Sequence, residues 1–238
     1  MTLRINMWSS PRNISTALMY SWRQRSDTTV VDEPLYAHYL RVTELDHPDR
    51  DAILESQNPD GNAVVRDLML GPWDTPVVMF KQMAKHLVNL DRDFLDECTN
   101  VLLTRDPREM LLSFSKVVPN ASLDETGFVE MVEILDASLA AGNPPIVVDA
   151  RVLLADPARV LAELCDRLGL DDDEAMMSWP AGPKPEDGVW APHWYASVHE
   201  STTWSRWTPR TGDLTPEFES VLAEALPLYE RLQQHAIT

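Results

Sequence analysis

The chain has 238 residues, of which 44% are hydrophobic, enough for one generous core, and one domain spanning residues 1–238 is the expectation for its alternating pattern. A formal net charge of −18 argues against sequence-independent nucleic-acid binding, which needs a cationic surface to displace counterions, and against membrane adhesion through basic patches. Two cysteines, Cys98 and Cys165, are too few for a disulfide framework and poorly spaced for a metal site, and no long apolar run or signal-type segment is present, so the expectation is a soluble cytoplasmic protein with free buried thiols and no metal.

Taken in chain order, the first element is a short apolar strand over residues 3–8. It runs through Ser9, Ser10, Pro11, Arg12, Asn13 and Ile14 into a helix predicted over 15–25 that opens with Ser15 and Thr16. A polar turn between strand and helix start is the chemistry of a phosphate cradle. Free backbone N–H groups attract an anion there, and Arg12 and the hydroxyls add hydrogen bonds to the same oxygens. The Gly-x-x-x-x-Gly-Lys-Ser/Thr pattern of nucleotide triphosphatases is missing, so the turn suits an anion other than a magnesium triphosphate. A second strand, 29–31, leads to Asp32-Glu33-Pro34, where either carboxylate is placed to cap a helix starting at Pro34. A third strand, 76–80, delivers Lys81, followed by Lys85 and His86.

The fourth strand, 100–104, ends at Arg105-Asp106-Pro107, and a helix over 108–117 carries Ser113. Arg105 and Ser113 can face one phosphate; alternatively Arg105 pairs with a carboxylate such as Asp106 and Ser113 bonds its own helix. A helix over 124–141, a strand over 145–148 and a helix over 157–168 follow. Strands alternating with helices predict an α/β fold of three layers around a central parallel sheet, with ligand at the carboxyl ends of the strands. Residues 179–215 break the rhythm with prolines and glycines and hold five of the eight tryptophans, before an amphipathic helix over 216–234. That segment fits either a cover over an acceptor or a loop anchored by its rings.

The stretch Ile5 to Met19 resembles the 5′-phosphosulfate-binding loop of sulfotransferases that use 3′-phosphoadenosine 5′-phosphosulfate (PAPS), and Leu103 to Phe114 resembles their 3′-phosphate-binding strand and helix. Ile146 to Pro157, running on to Leu168-Gly169-Leu170, is similar to the strand, helix and Leu-Gly-Leu ending that follow in those enzymes. The resemblance covers about residues 3–170 in the family's order. It implies a P-loop, nucleotide-kinase-like fold, PAPS as sulfuryl donor with the 3′,5′-bisphosphate (PAP) as product, no metal, and a small-molecule hydroxyl as acceptor. It further implies donor binding by Ser10, Pro11, Arg12, Asn13, Ile14, Ser15, Thr16, Arg105 and Ser113.

Many members have Lys where this chain has Arg12, and Ser-Gly where it has Asn13-Ile14. Trp207 to Asp213 is a loose echo of a C-terminal segment of the cytosolic branch, which would make Arg210 a 3′-phosphate ligand. Glu33 matches the catalytic glutamate of several branches and becomes the candidate base, with His38 one turn further as the fallback. Lys81 and Arg12 are the candidates to stabilise the departing phosphate; Lys81 fits equally well as a surface or acceptor-binding residue. An ATP-dependent phosphotransferase, a non-catalytic nucleotide-binding module and, lower, a pyridoxal-phosphate enzyme using one of the four lysines are the alternatives.

Overall fold

The computed structural model describes residues 2–119 and 121–238. Five strands, β1 (Leu3–Ser9), β2 (Thr28–Asp32), β3 (Val77–Met83), β4 (Thr99–Thr104) and β5 (Ile146–Asp149), form one sheet in the order β2-β3-β1-β4-β5, with every pairing parallel. Its two faces are covered by separate apolar clusters, as expected when crossover helices lie on both sides. Trp8, Val78, Phe80 and Leu102 enter one cluster, while Ile5, Met7, Met79, Val101 and Leu103 enter the other. This is the three-layer α/β arrangement that the strand pattern predicts.

The α-helices are α1 (Ser15–Trp22), α2 (Tyr36–Thr43), α3 (Arg50–Ser56), α4 (Gly61–Val64), α5 (Pro107–Phe114), α6 (Phe128–Ala140), α7 (Ala150–Ala155), α8 (Pro157–Arg167), α9 (Ala191–Trp194), α10 (Ala196–His199) and α11 (Pro216–Gln233). Their starts follow local chemistry. Asp106 accepts from the backbone N–H groups of Arg108 and Glu109 with Pro107 in the first turn of α5, and Asp149 caps α7 through Arg151 and Val152. One predicted helix is divided: residues 124–126 form a 3-10 turn and Gly127, at φ 72°, turns the chain before α6. A side chain there would meet Ala84 Cβ and the Lys85 amide nitrogen at 3.2 Å, so the close approach of two segments needs glycine.

The connection leaving β1 crosses towards β2, whereas that leaving β4 runs the other way to β5, so a crevice opens between the carboxyl ends of β1 and β4. The irregular segment after α8 folds back over this end of the sheet. Tyr20 Oη on α1 donates to Asp187 at 2.7 Å, His199 meets the same carboxylate at 3.0 Å, and Arg23 pairs with Glu186 at 2.7 Å. Trp179 and Trp204 meet edge to face, with centroids 5.3 Å apart. Among the described residues no helix is long and apolar enough to cross a membrane.

Candidate active site

The turn after β1 and the start of α5 meet in the crevice. Arg12 Nε donates to Ser113 Oγ at 3.2 Å, Arg105 Nη1 donates to the Arg12 carbonyl at 3.2 Å, and Asn13 Nδ2 donates to the Leu103 carbonyl at 2.9 Å. Arg105 also pairs with Glu109 at 2.9 Å, so its carboxylate partner is one turn along α5 rather than Asp106, which is occupied as the helix cap. Arg12 adopts a left-handed backbone, φ 55°, a conformation that costs a non-glycine residue about 1–2 kcal/mol and is held here by the bond to its carbonyl. Its guanidinium pKa is lowered by burial and then by the nearby charges of Arg210 and Arg105. Three guanidiniums therefore converge at the mouth of one turn, Arg210 reaching it from an exposed loop.

Several polar groups in the cradle point inward without protein partners. No side chain caps the N-terminus of α1, and both Ser10 Oγ and Arg105 Nε are buried and unpaired. Orphan N–H groups with the positive end of a helix dipole, an unpaired hydroxyl and clustered guanidiniums form a donor set for an anion. Pro11, Arg12, Asn13, Ile14, Ser15, Thr16, Arg105 and Ser113 all line one cavity of about 540 Å³; Ser10 is fully buried and does not line it.

The same cavity reaches a second polar cluster, on β2 and β3. Their register sets Asp32 beside Lys81, and Lys81 is fully buried. Its Nζ donates to Asp32 Oδ1 at 3.0 Å, to Glu33 Oε1, and to Tyr195 Oη at 2.6 Å. Tyr195 Oη in turn donates to Asp32 Oδ2 at 2.7 Å and accepts from Trp190 Nε1 at 3.0 Å. Burial opposes the Lys81 charge, but the two carboxylates outweigh it and hold the pKa above the ordinary lysine range. Burial likewise raises the Glu33 carboxyl, against the pull of Lys81.

Glu33 also has a left-handed backbone, φ 41°, fixed by its N–H on the Lys81 carbonyl at 2.8 Å and by Gln57 Nε2 on its own carbonyl at 3.0 Å. It caps no helix: α2 starts at Tyr36 without a side-chain cap. Its free oxygen, Oε2, lies 4.0 Å from His86 Nε2. His86 is buried rather than on a helix surface, stacked on Tyr36 at 4.7 Å and tilted on Tyr39 at 4.7 Å. Burial first, then Lys85 and Lys81, push its pKa well below the usual histidine value. His38 has both ring nitrogens committed to backbone, accepting from Gly61 N–H at 3.2 Å and donating to the Val88 carbonyl at 2.8 Å, which leaves it no proton-accepting atom for a substrate.

The structure brings Arg12, Arg105 and Ser113 together, as the sequence suggests; the sequence does not pair Asp32 with Lys81, and it places Trp190 and Tyr195 only within the aromatic segment, with no tie to Asp32 or Lys81. Adjacent acids at the end of a strand beside a lysine-terminated strand were the available signal for Asp32.

Comparison with known proteins fits this geometry: residues 3–236 match the Sulfotransferase domain family. The chain belongs to that family. Among curated proteins it is 43% identical over 97% of its length to the branched-chain-amino-acid aminotransferase-like protein 1 of Arabidopsis thaliana, and 40% identical to protein 2 of the same description. The chain spans 42% and 41%, respectively, of the length of these relatives. Among solved structures, the chain resembles the sulfotransferase domain from the curacin biosynthetic pathway, with 15% identity, a TM-score of 0.54, and coverage of 94% of this chain and 97% of the other. It also resembles a sulfotransferase from Alicyclobacillus acidocaldarius, with 12% identity, a TM-score of 0.56, and coverage of 98% and 95%. At these identities the two structures support the fold.

Proposed function

We propose that the protein transfers a sulfuryl group from PAPS to a hydroxyl of a small molecule. The observation that carries this reading is one cavity holding both a three-arginine anion cradle at an uncapped helix start and a buried Glu33–Lys81 pair. The donor set fits a nucleotide phosphorylated at two ends: the loop from Ser10 to Thr16 suits the 5′ side, and Arg105, Ser113 and Arg210 suit the 3′-phosphate. PAPS supplies the activated sulfuryl group. Glu33 Oε2 accepts the proton of the acceptor hydroxyl, because Oε1 is already held by Lys81. Arg12 and Lys81 provide preorganised positive charge near the departing phosphate.

Residues 1–238 then act as one unit, with 179–215 as the acceptor-side cover. Buried free thiols at Cys98 and Cys165 suit a reducing compartment, so this reading sets the enzyme in the cytoplasm. The aminotransferase in the plant relatives' names describes proteins of which this chain matches about two-fifths, and the matched part is the sulfotransferase domain.

Titration calorimetry with PAP tests the donor assignment: the wild type binds, and Arg105→Ala binds about 10- to 100-fold more weakly, the worth of a charge-assisted contact. Equal binding by the variant, or magnesium-dependent ATP binding in place of PAP, would overturn it. Glu33→Gln is expected to abolish sulfuryl transfer while leaving PAP affinity intact.

A further inference from the structure

The roles above leave one buried cation unused. Lys85 sits in the 3-10 turn Ala84–His86 that follows β3, and it is 7% exposed. Four residues earlier, the equally hidden Lys81 donates to three oxygens. Lys85 Nζ, among the described residues, makes no hydrogen bond and no ion pair; it sits over the Tyr39 ring, 5.2 Å from the ring centre. The charged groups facing it are Glu33 after β2, Glu125 and Glu130 before and within α6, and the imidazoles of His47 and His86. Burial outweighs these carboxylates and lowers its pKa, the opposite of Lys81. An ammonium this hidden is normally matched by a counter-charge at contact.

Lys85 lines the same cavity as Glu33, and it is not among the charged neighbours that shift the Arg12 and Arg210 guanidiniums. Two further polar atoms along that wall are fully covered and unpaired, His86 Nδ1 and Trp194 Nε1. A continuous run of rings connects them: Tyr39 to His86 and His86 to Tyr36 at 4.7 Å each, Tyr36 to His47 at 5.5 Å, and His47 to Trp194 at 5.6 Å. Burial and then Lys85 lower the His47 pKa to about 4, so these rings are neutral near pH 7, and of the two lysines beside them Lys81 is already paired while Lys85 is not, among the described residues.

We propose that the acceptor is a hydroxyl compound with a flat or ring-shaped body and an oxyanion, such as a carboxylate, that pairs with Lys85 Nζ while its hydroxyl lies at Glu33 Oε2. This rests on the sulfotransferase reading of the site and names its substrate class. The aromatic wall takes the body of the acceptor, and Lys85 selects the charged form over neutral analogues.

The test uses 4-hydroxybenzoate and its methyl ester as probes, titrated calorimetrically into the PAP-saturated full chain. The acid is expected to bind the wild type about 10- to 100-fold more tightly than the ester, the range for one charge-assisted contact. Lys85→Met should erase that preference while PAP affinity stays unchanged, and Lys85→Arg should retain it. No preference in the wild type, or the same preference in Lys85→Met, overturns the proposal. If Lys85 serves only as a counter-ion to Glu125 and Glu130, Lys85→Met lowers stability, Glu130→Gln restores it, and neither changes the acid–ester ratio; that result also overturns it. Should Lys85→Met fail to fold, Lys85→Gln replaces it. Failure of the wild type to bind PAP speaks against the donor reading alone, and the acid–ester comparison is then made on the free protein.

Discussion

Replacing Tyr195 by Phe removes one oxygen and leaves the ring, so the consequences can be followed bond by bond. Asp32 loses its 2.7 Å donor but keeps Lys81 Nζ at 3.0 Å and the Gly188 N–H at 3.3 Å. Lys81 keeps both carboxylates but loses the hydroxyl to which it donates at 2.6 Å. Trp190 fares worst: its indole N–H, on a residue 1% exposed, loses its one partner among the described residues. Two lost bonds to charged groups cost about 1.5–3 kcal/mol each and one stranded buried donor about 1–3 kcal/mol, offset in large part because the hydroxyl no longer has to be desolvated and Lys81 and Asp32 stay paired with each other. The expected loss is about 3–4 kcal/mol, a large fraction of the roughly 5–15 kcal/mol by which domains are stable. Guanidinium unfolding measures it: the midpoint should fall with the slope unchanged, since no extra surface is exposed. PAP affinity should not move, because none of the arginines touches Tyr195. A loss below about 1 kcal/mol would refute the reasoning, since it would mean that neither the charged bonds nor the buried indole depend on this hydroxyl.

Three further outcomes follow from the charges. Arg210→Ala should weaken PAP binding and flatten its salt dependence, measured calorimetrically at two ionic strengths, because a rim-exposed guanidinium acts through a screened field. An unchanged salt slope would remove Arg210 from the site. Because burial raises the Glu33 pKa, the acid limb of the rate profile should lie above the ordinary carboxylate range. The same shift has a stability sign: the folded chain binds the extra proton, so the Glu33 contribution falls as pH rises through its raised pKa, and urea midpoints of wild type minus Glu33→Gln should drop over that window. His86 is shifted the other way, so below about pH 6.5 the unfolded chain takes up protons first and stability falls by up to about 1.4 kcal/mol per pH unit. His47 is lowered as well, so His86→Phe should reduce the slope between pH 7 and 5 by one histidine's share and leave that of His47, and an unchanged slope would show that His86 is charged in the fold.

What could be read from the sequence was what local chemistry alone determines. β1 and β4 are short apolar runs flanked by polar turns, and the Arg12 and Arg105 turns carry their ligands within a few residues. β3 was cut short at Phe80, because a lysine reads as a strand end; the strand continues to Met83 since Asp32 and Glu33 neutralise Lys81 from the neighbouring strand. The stretch between β2 and β3 gave no periodic signal, as it is built of helices of four to eight residues and a π-turn at Val65–Met69, too short for apolar spacing to register. Tyr195 was out of reach for a different reason. Its partner Lys81 lies 114 residues away, and only the folded chain brings a ring from the aromatic segment onto the end of the sheet.

That long-range contact bears on how the protein could be re-engineered. Exchanging residues 179–215 for the corresponding stretch of another family member is the obvious route to a new acceptor, since the segment forms one wall of the cavity. Here the wall is not a cassette. Tyr195 and Gly188 within it bond Asp32, which fixes Lys81, which holds Glu33. A graft that keeps every other contact of the wall but lacks a hydroxyl at position 195 would disturb the Asp32–Lys81–Glu33 cluster it was meant to leave alone, so the wall and the cluster beneath it have to be redesigned together.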